Sequence, residues 1–448
     1  MQRSADDGTP AATPRVVVLG SNASMKMGGE AAFPYFYFRL LRERGVETWL
    51  VTHARVREEL RTLIPGEFDR VAFVEESRVD LILFRLGGLL PAKLSEQTIG
   101  VVRHLLTQRR MREAVRRVIR EKEIDLLHEV TPISPKAPSL MYGLGVPVVG
   151  GPLCGGMDYP PAFRHREGMA SRLVQRLGRM VSHLVNAIAP GRIRADSLVV
   201  AHPQTREALP IGVRGVIYDG ISDSGVDMSI WGARGRVDRP SDGGGTRFAY
   251  LGRLVDWKGV DLLLDAFQRV AGRDGSATLQ ILGDGPTRAA LESQADRLGI
   301  RDRVEFIGWV SAREGADRLE KVDVFVLPSL RECGGAVLLE AMALGLPCVA
   351  TRWGGPGHFV TDETGIRVDP ASPEGFVAGL ADAMLRLAGS SELRRSMGQA
   401  GRRRVAESVY NWDRKIDRFL EIYAETIDRH ASKSRRPGVA ETPAGSGR

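Results

Sequence analysis

Two glutamates and two cations stand where apolar runs give way to glycines in the second half of the chain. In VDVFVLPSLRECGGAVLLEAMALGLP a strand pattern ends at Pro328, a loop presents Glu332, Gly334-Gly335 open a helix, and Glu340 follows eight residues after Glu332. If helical throughout, that spacing sets the carboxylates about 12 Å apart, roughly the span from the glycosyl group to the ribose of a sugar nucleotide. Glu340 could accept hydrogen bonds from both ribose hydroxyls, while free amides at the helix start face a phosphate. Upstream, YLGRLVDWKGVDLLLDAF places Arg253 and Lys258 just before a helix that begins near Val260. Two cations at a helix N-terminus form an anion clamp.

Three further segments sit at strand ends. LGSNASMKMGGE carries Gly28-Gly29, whose backbone could approach a phosphate or sugar with no Cβ in the way, although a plain turn reads as well. QILGDGPTR is a tight turn that departs from a dinucleotide loop, since Arg288 stands where the third glycine of GxGxxG belongs. IDLLHEVTPISPKAPS brings out His128 and Glu129, and the histidine is either an acid or base for a substrate hydroxyl or a packed core residue.

Positioning these groups requires strands that alternate with helices, and the chain has that rhythm twice. Apolar β-branched runs at 16–20, 47–53, 71–74, 125–130, 146–151 and 198–202 form one series. Runs at 247–251, 278–282, 304–307, 322–327, 347–351 and 365–368 form another. The fold class is therefore α/β, with two doubly wound Rossmann-like domains whose parallel sheets are covered on both faces. The expected division is a disordered start (1–13), a first domain (14–218), a Gly/Asp/Ser-rich linker (219–246), a second domain (247–410), a helix capped by Asn411 (411–430) and a disordered tail (431–448).

Composition narrows the class. A chain of 448 residues with 43% hydrophobic and 26% charged content is globular, and the start MQRSADDGTP lacks the apolar stretch of an export signal. The uncharged run 137–157 holds six glycines and three prolines, so it reads as strand and loop and not as a membrane span. Three distant cysteines make no disulfide framework, and no CxxC or HExxH offers a zinc site, so the expectation is a cytoplasmic protein without metal. Residues 1–220 hold 31 Lys+Arg against 23 Asp+Glu and carry the whole net charge of +8. That excess suits an anionic partner or simply a solvated Arg-rich face. The Arg-rich stretch 101–120 could lie on a membrane, or pack on its own sheet with the arginines outward.

From Arg15 to about Ile427, and most firmly through GRLVDWKG, LGDGP, RECGGAVLLEAM and TRWGGPGHFVTDETGIRV, the sequence resembles glycosyltransferase family 4, retaining enzymes of the GT-B fold that use sugar nucleotides. The resemblance implies that Arg253 and Lys258 hold the diphosphate, Glu340 the ribose, and Glu332 the donor sugar near its anomeric carbon. It implies that Gly28 and Gly29 lie over the sugar phosphate, beside Gly334 and Gly335 in the donor site, and that the helix after Asn411 crosses back to the first domain. Many relatives carry HxH after the strand that here reads His128-Glu129-Val130, so either His128 takes over that contact or this chain does without it.

The implied reaction is metal-independent transfer of a sugar, in the manner of a retaining hexosyltransferase, from a UDP-, GDP- or other nucleotide-diphosphate sugar. The acceptor hydroxyl is left open among lipid-linked, saccharide and small-molecule partners. No cofactor is expected. Peripheral contact of the basic first domain with the inner face of a membrane is a further expectation, and nucleic acid is not, since basic and aromatic residues are not interleaved. Two alternatives share the fold: a catalytically silent sugar-nucleotide binder, and, disfavoured by the missing GxGxxG, a Rossmann-type oxidoreductase.

Overall fold

A computed structural model describes residues 13–89, 98–168, 181–232 and 245–434, with Ser95 and Gly178. Seven strands form the first sheet: β1 (Val16–Leu19), β2 (Thr48–His53), β3 (Val71–Val74), β4 (Leu126–Glu129), β5 (Val148–Leu153), β6 (Ser197–Val200) and β7 (Val216–Asp219). Its order is β3-β2-β1-β4-β5-β6-β7. The second sheet contains β8 (Arg247–Leu251), β9 (Thr278–Leu282), β10 (Val304–Gly308), β11 (Val324–Leu327), β12 (Cys348–Thr351) and β13 (Gly365–Val368), in the order β10-β9-β8-β11-β12-β13. Every pairing in both sheets is parallel. The doubly wound architecture expected from the alternation is what the chain adopts.

Both sheets reverse direction at one point. In the first, strands run outward from β1 to β3 and then restart on the other side at β4; in the second, β8 and β11 play these parts. Loops leaving the carboxyl ends of such neighbours diverge and open a crevice. The segments with Gly28-Gly29, Arg253-Lys258 and Glu332 are those loops.

Six helices matter for the site: α1 (Phe33–Glu43), α2 (Arg78–Gly87), α3 (Ile99–Lys122), α4 (Val260–Arg273), α5 (Ala336–Ala343) and α6 (Trp412–Ser434). Asn411 caps α6 by accepting from the Asp413 amide at 2.9 Å. From there α6 leaves the second domain and lays Ile416, Phe419, Ile422 and Tyr423 into the core of the first, beside Val16, Tyr37 and Phe38. Burying four such side chains contributes on the order of 6–12 kcal/mol as an upper bound, comparable to the whole stability of a domain. The first domain's core is therefore incomplete without the end of the chain.

The same helix decides the fate of His128. The imidazole is fully buried, its Nε2–H donates to the Gly151 carbonyl at 2.6 Å, and its Nδ1 accepts from the Tyr423 hydroxyl at 2.7 Å. Burial pushes its pKa down to about 3, so it stays neutral. Both nitrogens are committed beneath the crevice floor, which removes His128 as a catalytic acid or base. Tyr423→Phe leaves Nδ1 without a donor in the core and should cost about 1–3 kcal/mol in urea unfolding, with no change in mean structure. A midpoint equal to that of the wild type would contradict this assignment.

Several sequence expectations shift. The linker expected from residue 219 is preceded by an unforeseen edge strand, β7, with Val216 40% exposed and only four residues long. Residues expected in a free linker are also buried: Ile221, Ser222, Asp223, Ser224 and Val226 lie between the domains. Lys415 of α6, fully buried, donates to the carbonyls of Ser222 and Ser224 at 2.6 and 2.5 Å. Residues 233–244, with Gly243-Gly244, lie outside the described residues, as do 1–12 and 435–448 of the expected termini. Ala431–Ser434, placed in the tail by sequence, continue α6. Glu129, the neighbour of His128, is buried against Arg192 at 3.1 Å.

Candidate active site

The loop between β8 and α4 is shaped by close backbone approaches. Gly283 has φ +136°, and a Cβ there would stand 1.9 Å from the Gly252 carbonyl oxygen, so the LGDGP turn can press directly against the β8 loop. The Leu254 amide donates to the Asp284 carbonyl at 2.9 Å, and the Tyr250 hydroxyl to the Arg253 carbonyl at 3.0 Å. Gly259 precedes α4 at φ +68°, where a Cβ would meet the Pro328 carbonyl oxygen at 2.5 Å. The Leu330 amide then bonds the Trp257 carbonyl at 2.8 Å. These contacts join the carboxyl ends of β8 and β11.

The junction brings Lys258 to Glu332. Their ammonium and carboxylate form an ion pair in which the side chains are 15% and 16% exposed. Arg253 lies on the same loop with its side chain exposed. Gly335, at φ +97°, opens α5 and offers no side-chain acceptor to its first amides, of which that of Leu338 turns back to the Gly335 carbonyl at 2.9 Å. The RWGGPGHF segment packs on this loop, with the Gly355 amide donating to the Glu332 carbonyl at 3.0 Å.

Glu340 stands one turn into α5. It is largely enclosed, no described residue donates to its carboxylate, and burial raises its pKa to about 7. A desolvated carboxylate without donors is expensive unless a ligand supplies them. The helix starts only at Ala336, so Glu332 and Glu340 are not on one continuous helix. The 12 Å estimate from uninterrupted helical rise therefore does not apply; Glu332 lies on the preceding loop, held by Lys258.

From the other lobe, Gly28 and Gly29 adopt φ +68° and +50°, and neither would crowd a neighbour if it carried a Cβ. Their loop is held by Glu59, which accepts from the Ser24 hydroxyl at 2.6 Å and the Met25 amide at 2.8 Å. The lobes touch through the Arg331 side chain on the Met157 carbonyl (3.2 Å), Trp353 Nε1 on the Asp158 carbonyl (2.9 Å) and the Arg166–Asp261 ion pair (2.6 Å). Gly334 sits against the buried segment between the lobes, where its Cβ would be 3.0 Å from Ser224 Oγ. A third group escaped the sequence reading: Cys154, His202 and Cys333, drawn from both lobes, converge within 4.8 Å of one another. Spacings of 48 and 131 residues leave no local signal.

Residues 235–404 match the profile of the glycosyl transferases group 1 family. The second domain belongs to that family. Arg253, Lys258, Glu332, Gly334, Gly335 and Glu340 all fall within this group 1 domain, whereas Gly28, Gly29 and His128 lie outside it. The chain is 34% identical over 192 residues to the lipopolysaccharide core biosynthesis glycosyltransferase LpsE of Rhizobium meliloti, covering 43% of this chain and 53% of the relative. It is 29% identical over 273 residues to the D-inositol 3-phosphate glycosyltransferase of Segniliparus rotundus, covering 58% and 57%. The chain thus spans about half the length of the curated relatives it matches.

Solved structures align over nearly the whole molecule. Sucrose-phosphate synthase from Thermosynechococcus elongatus superposes with a TM-score of 0.60 at 18% identity, covering 93% of this chain and all of that one. Anabaena HepE in complex with UDP-glucose gives 0.57 at 16%, covering 94% and 100%. At such identities the likeness concerns the fold, and that fold is GT-B: the group 1 domain faces a second Rossmann-like lobe, and α6 crosses back between them.

Proposed function

We propose that this protein transfers a sugar from a nucleotide-diphosphate sugar to an acceptor hydroxyl with retention of anomeric configuration, and that the diphosphate needs no metal ion. The observation that carries the reading is the convergence, at the direction reversal of the second sheet, of the Lys258–Glu332 pair, the uncapped start of α5 and the donor-less carboxylate of Glu340.

The chemistry follows from the charges. As the bond to the anomeric carbon breaks, negative charge grows on the leaving diphosphate, where Arg253, Lys258 and the α5 amides can stabilise it electrostatically. Engaging the phosphates draws Lys258 from Glu332, which frees that carboxylate for the donor sugar and for positive charge near the anomeric carbon. Glu340 takes the ribose hydroxyls. Gly28 and Gly29 let the first lobe's backbone close over the sugar phosphate, and closure excludes water that would hydrolyse the donor.

The nucleotide is tested by melting-temperature shifts with UDP-, GDP-, ADP- and TDP-sugars. Binding stabilises by about 2.7 kcal/mol at a hundredfold excess over Kd, so at least one nucleotide should raise Tm. A flat response to all four, with no nucleotide released in the presence of saccharide or lipid acceptors, defeats the reading.

For the acceptor side, an anionic membrane surface is the partner favoured here. No helix of the described residues is long and apolar enough to cross a membrane. The expected amphipathic segment at 101–120 belongs to α3, which turns Met111, Val115 and Val118 inward onto the sheet, as its packed reading required. The exposed apolar face is on its neighbour: Leu81, Ile82, Phe84 and Leu86 of α2 are 46–64% exposed, with Arg103 stacked 5.1 Å over Phe84. Apolar side chains rimmed by arginine suit anionic lipid. The wild type should float with phosphatidylglycerol vesicles, and Leu81→Asp with Phe84→Asp should stay behind. Wild-type protein that fails to float removes the membrane contact.

A further inference from the structure

We infer that Cys154, His202 and Cys333 form a binding site for a thiophilic divalent cation, Zn²⁺ being the natural candidate, that ties the two lobes together across the cleft. Cys154 follows β5 and His202 follows β6, both in the first lobe and 4% and 3% exposed; Cys333 lies in the loop before α5. One sulfur and one nitrogen come from one side of the cleft and the second sulfur from the other.

The geometry suits such an ion. The three ligand atoms lie within 4.8 Å of one another. A tetrahedral zinc ion, at about 2.3 Å from sulfur and about 2.0 Å from nitrogen, needs sulfurs about 3.8 Å apart and sulfur about 3.5 Å from nitrogen, so the cluster must contract by about 1.3 Å at most. Ligands carried on two lobes can make that contraction by a small rigid-body movement. Cys154 Sγ and His202 Nε2 share a sulfur hydrogen bond at 3.9 Å, within a few tenths of an ångström of the separation two ligands of one zinc ion would take. Sulfur and imidazole together select zinc over magnesium or calcium.

The surroundings fit the same purpose. His202 Nδ1 accepts from the Thr205 amide at 3.3 Å, which leaves the ring proton on Nε2; for Nε2 to take the ion that proton must move to Nδ1, where the Thr205 hydroxyl at 3.2 Å is the acceptor within reach. Thr205 is fixed in turn by donating to the Gly155 carbonyl at 3.0 Å. His358 of the second lobe stacks on the His202 ring at 5.6 Å and 7° between planes, which holds the imidazole plane. Three protein ligands leave a fourth position for solvent from the cleft, through the partly exposed Cys333.

The consequence is mechanical. Cys333 is the neighbour of both Glu332 and Gly334, so an ion drawing its sulfur toward Cys154 draws the loop that carries Glu332 toward the first lobe. The ion's part is to fasten that loop, leaving the diphosphate charge to Arg253 and Lys258. The inference does not rest on the proposed reaction, because its test needs neither donor nor acceptor.

The full chain, reduced and stripped with EDTA, is titrated anaerobically with Co²⁺ as a spectroscopic substitute for Zn²⁺. One cobalt per chain should bind with thiolate-to-cobalt charge-transfer absorption in the near ultraviolet and tetrahedral bands in the visible, and Zn²⁺ should displace it. Cys154→Ser and Cys333→Ser should each weaken binding by more than about 100-fold, since losing even a residue that only supports a ligand costs 10–100-fold. Cys348→Ser, at a buried cysteine within β12, should leave the spectrum unchanged. Because Cys333 is partly exposed, alkylation of the unmutated protein gives a second readout, and Zn²⁺ should slow its modification by a similar factor. Absence of the charge-transfer band in reduced wild-type protein, its survival in Cys333→Ser, or alkylation indifferent to Zn²⁺ overturns the site.

Discussion

Lys258→Ala is expected to lower kcat by about 10²–10³-fold, the usual effect of deleting one preorganised group that stabilises a developing anion. The lysine stands in the short turn before α4, at the edge of the crevice, where its ammonium is paired with Glu332 and contributes nothing to the apolar core. Its loss leaves the backbone approaches of Gly259 and Gly283 untouched, so the fold should survive and the melting temperature should move little. Because phosphate charge grows in the transition state, kcat should fall further than donor affinity. An alanine variant turning over within threefold of the wild type would show that the leaving group is stabilised elsewhere.

Glu340→Gln carries the second large effect, and its sign differs between the free and the bound protein. In the free chain, burial holds the carboxyl near 7, well above the ordinary value of 4.5. The folded state therefore keeps a proton that the unfolded state loses between pH 4.5 and about 7, so stability falls as pH rises through that window. Glutamine carries no such charge, and the variant should melt higher than the wild type at pH 8.

Donor binding should respond in the opposite sense. Ribose hydroxyls favour the carboxylate, so wild-type affinity should decline as pH drops below about 7, while the variant should lose that pH dependence. At pH 8 the lost charge-assisted hydrogen bonds should weaken donor binding by about 1.5–3 kcal/mol, or roughly 10–150-fold. Calorimetric titration across pH 6–8 checks both signs at once. A variant that melts higher and still binds the nucleotide with wild-type affinity would make Glu340 a structural carboxylate and nothing more. The combination of higher stability with weaker binding is the ordinary trade at a functional site.

How far these groups could be read without coordinates depended on how local each one is. Each half of the proposed anion clamp is a strand end, a turn and a helix start within about a dozen residues, so Arg253 and Lys258 on one segment and Gly335 on the other could be placed from periodicity and glycines. Twelve of the thirteen strands among the described residues coincide with short apolar runs visible in the sequence; β7, a four-residue edge strand with the half-exposed sequence VIYD, was not foreseen. His128 presented two readings that nothing near it could separate; Tyr423, 295 residues later, decides between them. The Lys258–Glu332 pair spans 74 residues, so no local spacing announces it; Glu332 stands on the loop where the sequence put it, and only the 12 Å span, which assumed continuous helix, does not apply. Cys154, His202 and Cys333 were invisible for the same reason. Chemistry assembled by the meeting of two lobes leaves no short spacing in the chain.

The return of α6 bears on how the protein comes into being. Domains emerging from the ribosome generally fold in the order of synthesis, the earlier one first. Here the earlier lobe cannot close its core until Trp412, Ile416, Phe419 and Tyr423 have been translated, after the whole of the later lobe. Until then the surface formed by Val16, Tyr37, Phe38 and Leu41 stands uncovered on the nascent chain. A polypeptide stopped near residue 410 would display that surface permanently, as a natural client for chaperones and proteases.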